Sequence, residues 1–208
     1  MDDGIAPLCG FATGMRALEK VTGSIAVNPG WQPLAAAKKT GQRQMLDEHS
    51  AKIQLAGWGV ACPRGVRADT PAELASASAA LHAPLALKGL GHPHKSEAGL
   101  VQLNLTVDAL AAAANMMEGA KGFLAEEMVP PPVGELLVGL RRDPVYGTSL
   151  TIGTGGITAE LLGDTQTLIL PVEPHEILAA ISRLRLAPLL TGYRGKPQAD
   201  LGAAVTAI

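Results

Sequence analysis

Strand-forming segments follow one another in the second half of this 208-residue chain, without long helices between them. They are apolar or alternating and end at turn residues, at 122–129, 135–141, 149–153, 157–162 and 167–170. Helical patterns are grouped elsewhere, at 47–56, 70–82, 106–118, 173–184 and 198–208. Strands in succession, with helices set apart from them, predict an α+β fold and disfavour a doubly wound parallel sheet.

A segment rich in glycine and proline divides the chain near its beginning. Residues 25–45 contain Pro29, Gly30, Pro33 and Gly41 beside several basic residues, a composition typical of a linker. We therefore expect a short N-terminal region at 1–24, a linker at 25–45, and two larger regions at 46–120 and 121–208.

The composition excludes several classes of protein. Hydrophobic residues make up 47% and charged residues 17%, which is too apolar for a disordered chain. Aromatic residues are only 3%, so the core must be built from Ala, Leu, Val and Ile, and few rings are left to stack on nucleic-acid bases. The net charge is −2 with no basic face, which also argues against a nucleic-acid partner.

The location of the protein is predicted from what the sequence contains. The acidic start, MDDGIAPL, is not typical of a signal peptide, and no apolar run approaches the ~20 residues that span a bilayer. Cys9 and Cys62 are far apart and form no CxxC pair, as expected for ordinary thiols in a reducing compartment. We expect a cytoplasmic protein without a membrane partner, and homo-oligomers are possible.

The loop KGLGHPHKSEAG places several hydrogen-bond donors in one glycine-containing turn. Lys88 ends an apolar strand, and His94, Lys95 and Ser96 follow it. Such a loop suits an oligophosphate, and a histidine there can accept a phosphoryl group as a nucleophile. A solvated basic turn fits the same residues equally well. A zinc site at His92 and His94 is disfavoured, because no third ligand is evident.

Two further segments carry polar groups at strand ends. Glu126, Glu127, Met128 and Val129 end an apolar strand before three prolines, and leave backbone groups that can pair with the edge of a purine. By residue type alone, an ordinary strand exit with solvated carboxylates is the better interpretation. The GTGG at 153–156 is neither a Walker A motif nor a dinucleotide-binding motif, so a tight turn is favoured over a phosphate cradle.

In order and spacing, these segments resemble the ATP-grasp region of the ADP-forming acyl-CoA synthetases, which are relatives of succinyl-CoA synthetase. The segments are LDEHSAKIQLAGWGVACPRG, PLALKGLGHPHKSEAGLVQLNL, AEEMVPPPVGELLVGLRRDPVYGTSLTIGTGGITAELLGD and LAPLLTGYRGKPQADL. The resemblance covers residues 46–208 and implies an ATP-grasp fold of two α+β lobes, at 46–120 and 121–208, that is incomplete at the C-terminus. Residues 1–24 resemble the tail of the CoA-ligase domain that precedes ATP-grasp in single-chain members.

The resemblance also implies an activity. The family makes acyl-CoA from a carboxylic acid, CoA and ATP, releases ADP and phosphate, and works through an acyl phosphate and a phosphohistidine. We therefore expect the ATP-binding and phosphoryl-transfer portion of an acid–CoA ligase (ADP-forming), with CoA-binding and CoA-ligase domains or subunits as partners. The family's Mg²⁺ ligands lie on a strand beyond the YRG segment, where this chain stops, so we expect no complete reaction from this chain alone.

Two alternatives stay open at this point. One is a non-catalytic regulatory module, like the synthetase-like domains that are fused to protein acetyltransferases. The other is a structural assembly domain, which nucleotides would not stabilise.

Single residues match the family's motifs. His94 matches the histidine of the HKS motif, which carries the phosphoryl group in some members, and we expect it to be catalytic. Residues 126–129 match the hinge that receives adenine, and Glu135 matches the acid of the following strand. The nucleotide-binding residues implied by the resemblance are Lys88, Lys95, Ser96, Glu126, Glu127, Met128, Val129, Glu135, Gly155 and Gly156, with no metal ligand among them.

Overall fold

The computed structural model describes residue 15, residues 30–32, residue 34, and residues 45–91, 99–156 and 159–208. Helices and two antiparallel sheets make up this part of the chain, which confirms the predicted α+β class. The elements are α1 Glu48–Gly57, β1 Gly65–Ala68, α2 Pro71–Ala77, β2 Leu85–Gly89, β3 Val101–Leu105, α3 Leu110–Asn115, β4 Phe123–Glu127, β5 Leu136–Asp143, β6 Gly147–Thr154, α4 Ala159–Leu162, β7 Thr165–Ile169, α5 Pro174–Ser182, α6 Ala187–Leu190 and α7 Leu201–Ala207.

Side-chain caps start the first two helices. Asp47 precedes α1, and its Oδ1 accepts a hydrogen bond of 2.8 Å from the backbone N–H of Ser50. Thr70 precedes α2, and its Oγ1 accepts from the N–H of Glu73 at 3.3 Å. These bonds satisfy N–H groups that have no partner inside the helix. The helix predicted for 70–82 ends earlier, at Ala77, because the chain turns there and buries Leu81.

Two predicted segments differ from the structure. The described part of 157–162 is the short helix α4, so the strand predicted there is wrong. The N–H of Gly163 donates to the carbonyl of Ala159 at 3.1 Å, which closes a helical turn. The helix predicted for 106–118 begins as a 3-10 turn at Val107–Ala109, and Thr106 gives it no side-chain cap.

The first sheet has the strand order β1-β4-β2-β3. Helices α2 and α3 pack against each other and against this sheet. Leucine and alanine dominate the core, as the composition predicts; its buried residues are Ala68, Leu74, Leu81, Leu85, Leu87, Leu100, Leu110, Ala113, Ala114, Met117, Phe123 and Ala125. Because β4 belongs to this sheet, the first lobe of the structure continues to Glu127, past the expected boundary at residue 120.

The second sheet has the strand order β5-β6-β7. Its own core consists of Leu150, Ile152, Ile177, Ala180, Ile181, Leu184 and Leu190, so the two sheets are stabilised by separate clusters. β5 is an edge strand. Its Val138 and Leu140 pair with the buried Ile152 and Leu150 of β6, yet they are 47% and 68% exposed. The core cluster that buries Leu150 and Ile152 of β6 therefore leaves their neighbours on β5 exposed to solvent.

Part of the predicted linker lies against the second lobe. The indole N–H of Trp31 donates to the carbonyl of Pro171 at 3.0 Å. The backbone N–H of Leu34 donates to the carbonyl of Leu170 at 2.7 Å. These bonds attach Trp31 and Leu34 to the chain that follows β7. No helix of the described residues combines the length and the apolar character needed to cross a bilayer.

Candidate functional site

The alternation of side chains along β2 and β4 brings Lys88 and Glu126 to one face of the first sheet. Lys88 pairs with Leu124 and Glu126 pairs with Ala86, whereas Leu87 pairs with Ala125 and faces the core. Successive side chains of a strand point to opposite faces. Lys88 and Glu126 therefore share the face opposite to α2 and α3. This is the face that α1 approaches.

Two lysines and two glutamates form a closed ring of ion pairs there. The Nζ of Lys52 lies 2.6 and 2.7 Å from the two carboxylate oxygens of Glu126, and the Nζ of Lys88 lies 2.8 Å from Glu126 Oε2. Both ammonium groups also contact Glu48 Oε1, Lys52 at 2.9 Å and Lys88 at 2.5 Å. Each charge is thus neighboured by two of opposite sign.

Sequence reasoning did not identify Glu48 and Lys52 as site residues. Their spacing could have indicated a pair, because residues four apart lie on the same face of a helix. Glu48 and Lys52 have this spacing in α1. None of the residues of α1 is buried. Ion pairs attach the helix to the sheet: Lys52 to Glu126, Glu48 to Lys88, and more loosely Asp47 to Arg67 at 3.9 Å.

The electrostatics of Lys88 follow from this ring. Burial disfavours its charged form and lowers the pKa, but the hydrogen bonds and charges of Glu126 and Glu48 outweigh burial, so the pKa lies above the ordinary value of 10.5. Glu126 itself is only 3% exposed and depends on the lysines as partners. Lys88 is therefore charged at neutral pH.

Gly65 makes room for Glu126. The two residues are directly paired across β1 and β4. A Cβ at Gly65 would lie 2.7 Å from the Cγ of Glu126 and 2.9 Å from the carbonyl oxygen of Ala125. Any other residue at position 65 would therefore clash with the Glu126 side chain in its observed position.

Glu127 points away from the ring, although sequence reasoning grouped it with Glu126. Its Oε1 accepts from the backbone N–H of His82 at 2.9 Å and lies 3.0 Å from the His82 ring. The N–H and the ring of His82 hold the pKa of Glu127 below its ordinary value. Of the next two residues, Met128 donates its N–H to the carbonyl of Pro84 at 2.9 Å, and Val129 is exposed.

Glu135, Gly155 and Gly156 come together in the second lobe. The N–H of Gly155 donates to the carbonyl of Glu135 at 2.7 Å. Gly156 has a φ of +78°, and a Cβ there would lie 3.1 Å from Glu135 Oε2. The structure thus forms a tight glycine turn, Gly155–Gly156, beside an exposed carboxylate. Such a turn needs glycine at Gly156, because other residues rarely adopt a positive φ.

Three predicted site residues, His94, Lys95 and Ser96, lie outside the described residues, as does His92. Lys88 is near the end of β2, the strand that leads toward this segment. In the described ranges, no group of three or more His, Cys, Asp or Glu side chains is arranged to hold a metal ion. We therefore assign no magnesium ligand to these residues.

A shallow cavity of about 210 Å³ adjoins the ring, lined in part by His49, Lys52, Cys62 and Glu126. Cys62 is a free thiol, and Cys9 lies outside the described residues. The cavity is smaller than the ~300–1,000 Å³ of most ligand pockets.

The fold and the site define a class: two-lobed α+β proteins, each lobe with its own antiparallel sheet and core, that carry paired lysines on one sheet face. The chain belongs to the ATP-grasp domain family, which matches residues 36–208. This confirms the predicted ATP-grasp fold. The predicted resemblance to ADP-forming acyl-CoA synthetases is confirmed by the individual relatives that follow.

Several curated proteins are similar to this chain. It is 33% identical to trans-feruloyl-CoA synthase FCS1 of an unknown prokaryotic organism in an alignment of 174 residues, with a coverage of 76% of this chain and 24% of that protein. It is 31% identical to the 4-hydroxybutyrate–CoA ligase [ADP-forming] of Nitrosopumilus maritimus, over 79% of this chain and 25% of the ligase. The chain thus spans about a quarter of the length of these two relatives.

Shorter proteins match along most of their length. The acetate–CoA ligase [ADP-forming] I subunit beta of Pyrococcus furiosus is 29% identical, over 80% of this chain and 77% of the subunit. Among solved structures, the dinucleotide forming acetyl-coenzyme A synthetase 1 of Ca. Korarchaeum cryptofilum, in complex with coenzyme A, Ca-AMPCP and HgCl+, has a TM-score of 0.70 at 29% identity, over 78% of this chain and 76% of that one.

Proposed function

We propose that this chain binds the phosphates of ATP at Lys88 and Lys52. The observation that carries the proposal is that the two ammonium groups share one carboxylate oxygen, Glu126 Oε2, at 2.8 and 2.7 Å. Two cations this close together can share a single phosphate group, which offers several oxygens of strong acceptor character. Phosphoryl transfer depends mainly on such positioning and charge.

Glu48 is the carboxylate that ATP would displace. Its side chain is 27% exposed, whereas that of Glu126 is only 4% exposed. Moving Glu48 into water costs less than moving Glu126, because the Glu48 carboxylate is the more hydrated of the two. Glu126 would stay in place and keep both lysines oriented toward the ligand.

The other nucleotide contacts belong to the same proposal. The backbone at 126–129 would meet adenine, the glycine turn and Glu135 would meet the phosphates, and Lys95 and Ser96 would assist near His94. The positive φ of Gly156 and its closeness to Glu135 support a turn of this kind. The side chain of Glu127 is not part of this contact, because it is bonded to His82, and its backbone N–H is donated to the carbonyl of Arg64 at 2.9 Å.

The wider activity is proposed from the relatives. The Korarchaeum enzyme has also been solved with coenzyme A and Mg-AMPPCP, with its phosphohistidine segment pointing towards the nucleotide binding site (TM-score 0.65, 29% identity). By this likeness, the chain supplies the ATP-binding part of an acid–CoA ligase that converts ATP, a carboxylic acid and CoA to ADP, phosphate and acyl-CoA. His94 would carry the phosphoryl group, and Mg²⁺ would neutralise phosphate charge when bound.

Partners follow from the same comparison. Because the chain matches about a quarter of the longer relatives, we expect the full reaction to need CoA-binding and CoA-ligase domains or subunits. A location in the cytoplasm, where ATP and CoA are available, fits this role. The relatives are synthases and ligases, which favours an enzyme part over the regulatory module considered above.

Nucleotide-dependent thermal unfolding tests the proposal. ATP at about a hundredfold above its Kd should stabilise the chain by about 2.7 kcal/mol. Each kcal/mol raises Tm by about 2–4 °C in a protein of this size. Lys88→Ala and Lys52→Ala should abolish the shift, while Lys196→Ala, at an exposed lysine of the second lobe, should keep it.

An ATP-dependent shift that survives in both Lys88→Ala and Lys52→Ala would reject these lysines as the phosphate site. No shift in the wild-type chain, with or without magnesium, would reject the proposed function of this chain.

A further inference from the structure

A carboxylate outside the ion-pair ring fixes the glycine turn. Asp164 directly precedes β7, and its Oδ2 accepts from the hydroxyl of Thr154 and from the backbone N–H of Arg185, both at 2.7 Å. The carbonyl of Asp164 accepts a third hydrogen bond, from the N–H of Thr154 at 3.0 Å. One residue thus joins the end of β6, the start of β7 and the chain that follows α5.

Thr154 is the residue immediately before the glycine turn. It is 7% exposed, so water cannot readily replace Asp164 as the partner of its hydroxyl. On the other side, the N–H of Gly155 is bonded to the carbonyl of Glu135. The turn is therefore held from two directions, by β5 through Glu135 and by β7 through Asp164.

We propose that Asp164 is a positioning residue for the phosphate chain of ATP. It keeps the glycine turn in one conformation, so that the ligand does not have to order the turn when it binds. Its own carboxylate is committed to Thr154 and Arg185 and would repel a phosphate, so it acts through Thr154 and is not itself a ligand. The inference rests on the proposed function, in which this turn meets the phosphates.

Substitutions at Asp164 test the inference in the full chain. Asp164→Ala removes both side-chain acceptor bonds, whereas Asp164→Asn keeps a carbonyl oxygen that can accept them. Kd values for ATP and for AMP, which lacks the two outer phosphates, are measured at a temperature where every variant is folded. We expect Asp164→Ala to raise the Kd of ATP roughly tenfold and that of AMP less than about twofold. Asp164→Asn should restore most of the affinity for ATP.

Asp200→Ala is the matched control. Asp200 also lies in the second lobe, and its Oδ1 accepts from the N–H of Ala203 at 2.8 Å to cap α7. Its loss should lower stability and leave the ratio of the two Kd values unchanged.

Two results would overturn the inference alone: an unchanged ratio in Asp164→Ala, or an equal change in Asp200→Ala. In both cases the proposed function would still stand if ATP binding depends on Lys88. If the wild-type chain does not bind ATP, the proposed function fails, and the inference fails with it.

Discussion

Replacing Glu126 by glutamine tests the ion-pair ring directly. The change keeps the size of the side chain but removes a negative charge that is 4% exposed and contacts two ammonium groups. Hydrogen bonds to charged groups contribute about 1.5–3 kcal/mol, and breaking a buried ion pair costs about 3–5 kcal/mol. Because both lysines keep Glu48 as a partner, we expect a loss of about 2–3 kcal/mol in the free energy of unfolding.

Urea denaturation followed by circular dichroism measures this loss, with Tm as a second readout. The loss corresponds to a fall in Tm of about 2–4 °C for each kcal/mol. Glu127→Gln is the control, since it makes the same change one residue further along β4, where the side chain lies on the other face and is bonded to exposed His82. Equal effects of the two substitutions would refute the assignment of Glu126 to a buried ring.

Two further predictions concern the same face. Gly65→Ala should destabilise the protein by about 1–3 kcal/mol through the clash with Glu126. Gly57→Ala, whose Cβ meets open space in α1, should be neutral or stabilising. Equal urea midpoints for the two variants would contradict this prediction. The raised pKa of Lys88 contributes stability that is complete below about 10.5 and is lost as pH rises through the folded-state value. The difference in unfolding free energy between wild type and Lys88→Met should therefore shrink in strong alkali, and a pH-independent difference would contradict it.

The sequence predicts most of the elements but only part of the site. Apolar runs and turn residues correctly locate β2 and β4, and helical spacing locates α1. The pairing of Lys52 with Glu126 spans 74 positions, and periodicity cannot say which strand a helix face meets. The ring therefore needed the structure, although the shared face of Glu48 and Lys52 could be read from their spacing.

The adjacent residues Glu126 and Glu127 show a second difference between the sequence prediction and the structure. Sequence reasoning treated Glu126 and Glu127 as one group, yet the period of two in a strand already places them on opposite faces. Which of them meets the lysines depends on the register of β4, which the buried Phe123 and Ala125 fix. In 157–162 the apolar pattern suits both a helix and a strand, and the tertiary setting selected the helix α4.

The open edge of β5 has a consequence for the behaviour of the chain in concentrated solution. An unpaired strand edge with exposed apolar side chains is a template on which another strand can add. Among the described strands, β5 lies at the edge of its sheet and carries the exposed Val138 and Leu140. Arg141 and Arg142 end the apolar run, and like charges brought together by stacked copies repel each other. We therefore expect these two arginines to oppose aggregation through this edge.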